Sequence, residues 1–221
     1  MTLRAAILDI DGTLIDSNDA HAHAWVDVGK EFGYKMDFNE VRRLIGMGGD
    51  KVLPILTGLE DGSDEGERMN KRRGEIFREE YLPTLSPFPH ARELLERFRA
   101  DGLALVIATS ASKKDMGGLL KKIGVEDLID EKTSSSDADN SKPDPDIIQA
   151  ALKKAGVRPS EAIMLGDTPY DVEAARKAGV RTVALRCGGW SAEDLGDAAA
   201  VYRDPADLLA HYDESPFGAA E

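Results

Sequence analysis

A chain of 221 residues, 42% hydrophobic and 31% charged, has enough apolar content for a real core and enough charge for a solvated surface, which excludes a disordered chain. Its formal net charge of −13 at pH 7 argues against broad binding to nucleic acid or to an anionic membrane, since both need basic surface; a small anion would need a locally positive site. No apolar run approaches the ~20 residues of a membrane span, no small-residue cleavage site follows the N-terminus, and the single cysteine, Cys187, cannot form an internal disulfide, so a cytoplasmic location is expected.

The stretch RAAILDI at residues 4–10 reads as a short buried strand, with Gly12 starting the turn after it. Residues 17–83 then show helical patterns and no strand. The pieces are HAHAWVDVGKEFG, NEVRRLIG, DKVLPILTG and DEGERMNKRRGEIFREEYL, with Pro54 a candidate kink in the third and TGLEDGSDEG a polar loop. After residue 84, helical patterns alternate with apolar runs. HARELLERFRADG leads to ALVIAT (104–109), a weaker run lies near residues 128–131, and AIMLGD (162–167) and RTVALR (181–186) follow. Gly102, Gly124, Gly156 and Gly179 fall where helices should end. In KPDPDIIQAALKKAG, Asp144 is expected to cap the helix and Pro145 to occupy its first turn, with Ile148, Ala151, Leu152 and Ala155 on one face. The C-terminal ESPFGAAE reads as a frayed tail. The alternation predicts an α/β fold: a Rossmann-like parallel sheet core at 1–16 and 84–221, with an inserted α-helical cap domain at 17–83.

In open parallel sheets ligands bind off the carboxyl ends of the strands. Asp9 and Asp11 end the first strand, Thr109 and Ser110 the second, and Asp167 the run IMLGD, with Asp171 four residues on in the next helix; Lys142 lies in a loop before the helix at Pro145. Taken singly, each has an ordinary structural explanation as a turn, a cap or a surface lysine. Together they place polar groups from four segments where one pocket should be. The set suits phosphoryl transfer: a carboxylate nucleophile, a second carboxyl as general acid and base, a lysine and a hydroxyl on the phosphoryl oxygens, and Mg²⁺ among crowded carboxylates.

Those same segments carry a resemblance. DIDGTLIDS (9–17), ATSAS (108–112), SKPDPDI (141–147) and GDTPYD (166–171) resemble, in order and spacing, the four motifs of the haloacid-dehalogenase-like hydrolase superfamily. The insertion resembles, more loosely, the helical cap of its phosphatase and phosphomutase branch. The resemblance implies that Asp9 is the nucleophile and Asp11 the general acid/base, and that Ser110, Lys142 and the backbone N–H of Ala111 bind the phosphoryl group. It implies Mg²⁺ held by Asp9, the backbone carbonyl of Asp11, and Asp167, with Asp171 supporting the metal through water or ligating it directly. Thr13 and Gly12 shape the turn. The dehalogenase branch lacks the second aspartate of the first motif, so Asp11 favours phosphate chemistry.

The expected function is therefore Mg²⁺-dependent hydrolysis of a small phosphomonoester metabolite, phosphoglycolate- or sugar-phosphate-like, through an aspartyl-phosphate. The alternatives are a β-phosphoglucomutase-like mutase and a non-catalytic phosphate-binding protein. HAHAW (21–25) bears on the mutase, because a similar stretch occurs in β-phosphoglucomutases. Its plainer reading is that Trp25 packs the cap and His21 is a partly exposed helix residue; the other is a hinge or proton-relay role for His21. In IGMGGDK (45–51), Lys51 is a candidate substrate contact and a flexible turn the alternative. NKRRG (70–74) reads as a solvated helix face, and Cys187 as a buried or loop thiol rather than a nucleophile.

Overall fold

The computed structural model describes residues 2–60 and 62–218. Among these, six strands form one parallel sheet in the order β3-β2-β1-β4-β5-β6. They are β1 (Ala5–Leu8), β2 (Ala104–Ala108), β3 (Glu131–Thr133), β4 (Ala162–Gly166), β5 (Arg181–Leu185) and β6 (Ala200–Tyr202). Every side chain of β1 is buried, as a central parallel strand covered on both faces requires. Alternate residues serve opposite layers. Ala5 and Ile7 join Val106 and Met164 against Ile147, Ile148 and Ala151 of α7 (Asp146–Ala155). Ala6 and Leu8 join Leu105, Ile107 and Leu165 against Leu94 and Phe98 of α5 (Ala91–Ala100) and Leu119 and Leu120 of α6 (Lys113–Ile123).

From β1 the chain runs outward through β2 and β3, then returns to place β4 on the other side of β1 and continues to β6. The carboxyl end of β1 is thus the point where the strand order reverses, and crevices open at such points. Leu8 pairs with Ile107 on one side and Leu165 on the other, so the residues after β1, β2 and β4 emerge at the same height.

Between β1 and α5 lie α1 (Asn18–Phe32), α2 (Phe38–Leu44), α3 (Gly49–Thr57) and α4 (Asp64–Ile76), the last continued by a wider turn at Phe77–Tyr81. Ala22, Trp25 and Val28 of α1 are buried with Met69 and Ile76 of α4 and Phe77, and these side chains are continuous with the core on one face of the sheet. The third strand begins at Glu131, where the weak run near 128–131 ends. Strand β6 has no counterpart in the sequence reading; it is three half-buried residues on the sheet edge.

Two local expectations are corrected. Pro145, not Asp144, holds the cap position of α7, because Asp144 is drawn away to Lys51 at 2.7 Å. The tail through residue 218 is not frayed: Ser215 and Phe217 are buried, and the Phe217 ring lies 4.4 Å from that of Phe98. The last three residues of ESPFGAAE lie outside the described residues.

α8 (Pro169–Lys177) follows β4, and α9 (Pro205–Ala210) closes over α5. No helix among the described residues is long and apolar enough to cross a membrane.

Candidate active site

Asp9 leaves β1 with its N–H still in the sheet, donating to the carbonyl of Leu165 at 2.9 Å. The chain then reverses, as the N–H groups of Thr13 and Leu14 turn back onto the carbonyl of Ile10. Gly12 takes φ 73°, and a side chain there would overlap Asn18 and Asp167, so the turn needs glycine for both its backbone and its neighbours.

Lys142 is 1% exposed, and its ammonium donates to Asp9 Oδ1 and to Asp171 Oδ1, both at 2.7 Å. The second oxygen of Asp171 accepts from the N–H of Thr168 at 3.0 Å and its hydroxyl at 2.7 Å, closing a reciprocal cap on α8. Asp167 accepts from the Thr13 hydroxyl at 2.8 Å and from Asn18 Nδ2 at 2.9 Å. One oxygen from each of Asp9, Asp167 and Asp171 lies within 4.8 Å of the others, and all three residues are buried. Of the three carboxylates, Lys142 pairs with two, Asp9 and Asp171. Burial, followed by the charges of Asp171 and Asp11, outweighs Lys142 and pushes the Asp9 carboxyl up from 3.8 to about 7. Burial and the charges of Asp171 and Asp9 push Asp167 well above the usual carboxylate range. Lys142 loses stability by burial, but Asp171 and Asp9 more than reverse this and hold it protonated. Such a cluster lacks positive charge, and its hard oxygen donors fit a divalent cation such as Mg²⁺. Asn18 Oδ1, buried beside Asp167 with no partner in the protein, fits an ion's hydration shell in the same place.

Asp11 turns the other way. Its Oδ1 accepts from Ser17 Oγ at 2.6 Å and meets His21 Nε2 at 2.8 Å. Burial pushes this carboxyl up, but the His21 and Ser17 contacts outweigh it and hold the group below its ordinary value. His21 is buried and stacked on Phe77 with centroids 3.9 Å apart, which corrects the partly exposed reading; Trp25 is packed as expected. An Arg73 guanidinium nitrogen lies 3.3 Å from His21 Nδ1. Arginine can only donate, so Nδ1 accepts and Nε2 donates to Asp11. Arg73 also faces the Trp25 ring and lies 3.6 Å from the buried Asp115, which takes Arg78 at 2.5 Å. NKRRG is therefore not wholly a solvated face: Arg72 is outside, paired with Glu31, while Arg73 points inward.

Asp9, Asp11, His21, Arg73 and Ser110 line one cavity of about 60 Å³, closed on the helical side by Ile45–Gly49. Ser110 Oγ donates to the carbonyl of Gly46 at 3.3 Å. Ala111 lines the same cavity, with its N–H directed to Thr109 Oγ1 at 3.1 Å. Lys51 is not among the lining residues; its ammonium is taken by Asp144, and IGMGGDK reaches the cavity through Ile45–Gly49 instead. Cys187 donates to the carbonyl of Gly12 at 3.2 Å, and burial with the nearby Asp167 pushes its thiol up, as befits an inert group.

The structure thus gathers Asp9, Lys142, Asp167 and Asp171, sets Asp11 and Ser110 at the cavity wall, and leaves Lys51 out. Sequence reasoning missed Ser17, Asn18, Arg73 and Asp115. Ser17 and Asn18 read as an ordinary helix start, yet Ser17 makes no cap bond and spends its hydroxyl on Asp11.

The chain is similar to known proteins in sequence and in fold. A family model described as haloacid dehalogenase-like hydrolase matches residues 6–185. The chain is similar to the phosphoglycolate phosphatase of Rhodospirillum rubrum, 30% identical over 215 residues that cover 93% of this chain and 89% of that protein. It is similar to the phosphorylated carbohydrates phosphatase of Thermotoga maritima, 28% identical over 82% of this chain and 84% of that one. Among solved structures, a hydrolase from Pseudomonas syringae superposes with a TM-score of 0.89 at 31% identity, covering 96% and 98% of the two chains.

Proposed function

The chain belongs to the haloacid dehalogenase-like hydrolase family, and from that premise we propose that it is a Mg²⁺-dependent phosphatase of small phosphomonoesters working through phospho-Asp9. The observation that carries the reading is the environment of Asp9: a buried carboxylate bonded to Lys142, beside Asp167, and open to a cavity that also holds Asp11 and Ser110. Relatives named as phosphatases of phosphoglycolate and of phosphorylated carbohydrates support the substrate class.

In this reading an Asp9 oxygen attacks phosphorus, the bond to the leaving oxygen breaks, and Asp11 delivers a proton to that oxygen. Water then attacks the acyl-phosphate, giving its proton to Asp11 and releasing phosphate and the Asp9 carboxylate. His21 and Ser17 hold Asp11 in the ionised form that the second step uses. An arriving phosphate dianion opposes a second negative charge and drives a proton onto Asp11 for the first step. Lys142 and the Ser110 hydroxyl meet the phosphoryl oxygens. Held by Asp9, the Asp11 carbonyl and Asp167, Mg²⁺ would supply positive charge opposite the transferring group. Asp171, with both oxygens already engaged, supports that set by fixing Lys142 and the loop after β4. Residues 17–83 act as the cap that excludes water and selects the leaving group, over a core at 1–16 and 84–221. The single thiol and small-metabolite chemistry suit a cytoplasmic enzyme.

The Asp11–His21 contact also favours a second reading, a sugar-phosphate mutase, because parking Asp11 on a cap helix would shield phospho-Asp9 from water. A panel of phosphomonoesters scored by phosphate release, with and without chelator, tests the first reading. Rapid conversion of β-glucose 1-phosphate to glucose 6-phosphate with negligible free phosphate would establish the second instead.

A further inference from the structure

The last two residues of IGMGGDK both bind one loop of the core, the loop that carries Lys142. Lys51 Nζ donates to Asp144 Oδ2 at 2.7 Å, and Asp50 Oδ2 accepts from the N–H of Ser141 at 3.2 Å. The N–H of Gly48, just before α3, donates to Ser141 Oγ at 3.0 Å. A Cβ at Gly48 would lie 2.6 Å from that of Ser141, so a side chain there would push the two segments apart. These three bonds bracket Lys142. Between Asp137 and Asp146 the chain forms neither helix nor strand. The core itself ties Asn140 to Asp146 and gives Lys177 to the carbonyl of Pro143 and to Asp144. The N–H and the hydroxyl of Ser141, next to Lys142, are engaged by the insertion instead. The Lys142 ammonium is now shared by Asp9 and Asp171, and to meet a phosphoryl oxygen it must give up part of that pairing. What aims it then is the backbone that bears it. A charge aimed in advance needs no reorganisation when the reaction occurs, and small misplacements are costly.

We propose that Asp50 and Lys51 are positioning residues: through Ser141 and Asp144 the insertion fixes the loop that aims Lys142, so the phosphoryl site is complete only while the insertion sits on the core. The inference rests on the phosphatase reading, in which Lys142 meets the phosphoryl group, and adds a way for the insertion to act on that group without touching it. It also gives Lys51 a role although its side chain is absent from the cavity wall.

Inorganic phosphate is the probe, because it has no leaving group for the insertion to contact. Its binding is followed by calorimetry in Mg²⁺. Lys51→Gln and Asp50→Ala should each weaken it about 3–10-fold, the scale of a half-exposed ion pair or one hydrogen bond. Lys51→Gln added to Asp144→Asn should cost no more than Asp144→Asn alone. In a Lys142→Gln background, Lys51→Gln should have no further effect, an outcome that a merely structural role would not give. Values of kcat/KM for p-nitrophenyl phosphate and glycerol 3-phosphate should fall by one common factor in Lys51→Gln, since the leaving group is not what Lys51 reads. Amide hydrogen exchange over residues 139–147 should quicken in Lys51→Gln while that over 162–177 stays unchanged. Wild-type phosphate affinity in both single variants, or an equal loss with and without Lys142, would overturn the inference and leave the phosphatase reading standing. So would unchanged exchange over 139–147. A wild-type protein that neither binds phosphate nor hydrolyses p-nitrophenyl phosphate would sink both.

Discussion

Replacing Asp9 by asparagine should stabilise the metal-free protein while abolishing its proposed chemistry. The side chain is buried, shares its surroundings with Asp167 and Asp171, and has its carboxyl pushed from 3.8 to about 7. A group whose folded value lies above its unfolded value favours folding below the unfolded value and loses that advantage as pH rises through the folded one. At about 1.4 kcal/mol per pH unit, the raised Asp9 carboxyl costs the fold about 4 kcal/mol at pH 8, where it is held ionised, and about 1–2 kcal/mol at pH 5, where folding must take up a proton. Asparagine keeps the shape without the charge but weakens the bond from Lys142, so we expect a gain of about 2–4 kcal/mol at pH 8 and a smaller one at pH 5. Urea unfolding in excess chelator at the two pH values measures it. Saturating Mg²⁺ should remove or invert the gain, because the wild-type carboxylate then has its counter-ion. Destabilisation by Asp9→Asn in chelator at pH 8, or an equal gain at both pH values, would refute the claim that the site stores uncompensated negative charge.

The same charges predict that Mg²⁺ affinity, followed by calorimetry, rises from pH 5 to about pH 7 and then levels, since below that range the ion must displace the proton on Asp9. Asn18→Ala should weaken Mg²⁺ binding about 10–100-fold by releasing Asp167, with little change in unfolding temperature in chelator; unchanged affinity would show that Asn18 merely fills space. Asp11→Asn should slow steady-state turnover about 10²–10⁴-fold, and with a good leaving group the phosphoenzyme should accumulate and be seen by intact-protein mass spectrometry. His21→Ala should free Asp11, shifting the acid limb of the pH–rate profile to higher pH as that carboxyl returns toward its ordinary value; an unmoved profile would leave His21 a packing residue.

Much of the fold was legible because the signals are local. Four strands announce themselves as apolar runs, and Gly124 and Gly156 end α6 and α7 in the left-handed conformation that glycine adopts freely. The gathering of Asp9, Asp167, Asp171 and Lys142 could be anticipated because parallel strands release their carboxyl ends on one side. β6 was invisible because three half-buried residues carry no period, and Phe217 was misjudged because its burial depends on Phe98, far away in sequence.

By itself, the sequence determined the order of the main elements and the strand ends that bear the candidate residues, since these follow from periodicity, turn residues and chain direction. Tertiary structure alone decided what each side chain meets. Asp11 is held by His21 because α1 crosses the carboxyl end of β1; Arg73 points inward while Arg72 does not because one face of α4 packs on α1; Lys51 is lost to Asp144 because α3 comes down beside the loop before α7. Such pairings depend on how the helices dock on the sheet, a sum of many weak apolar contacts across long separations. No short stretch of residues records that sum.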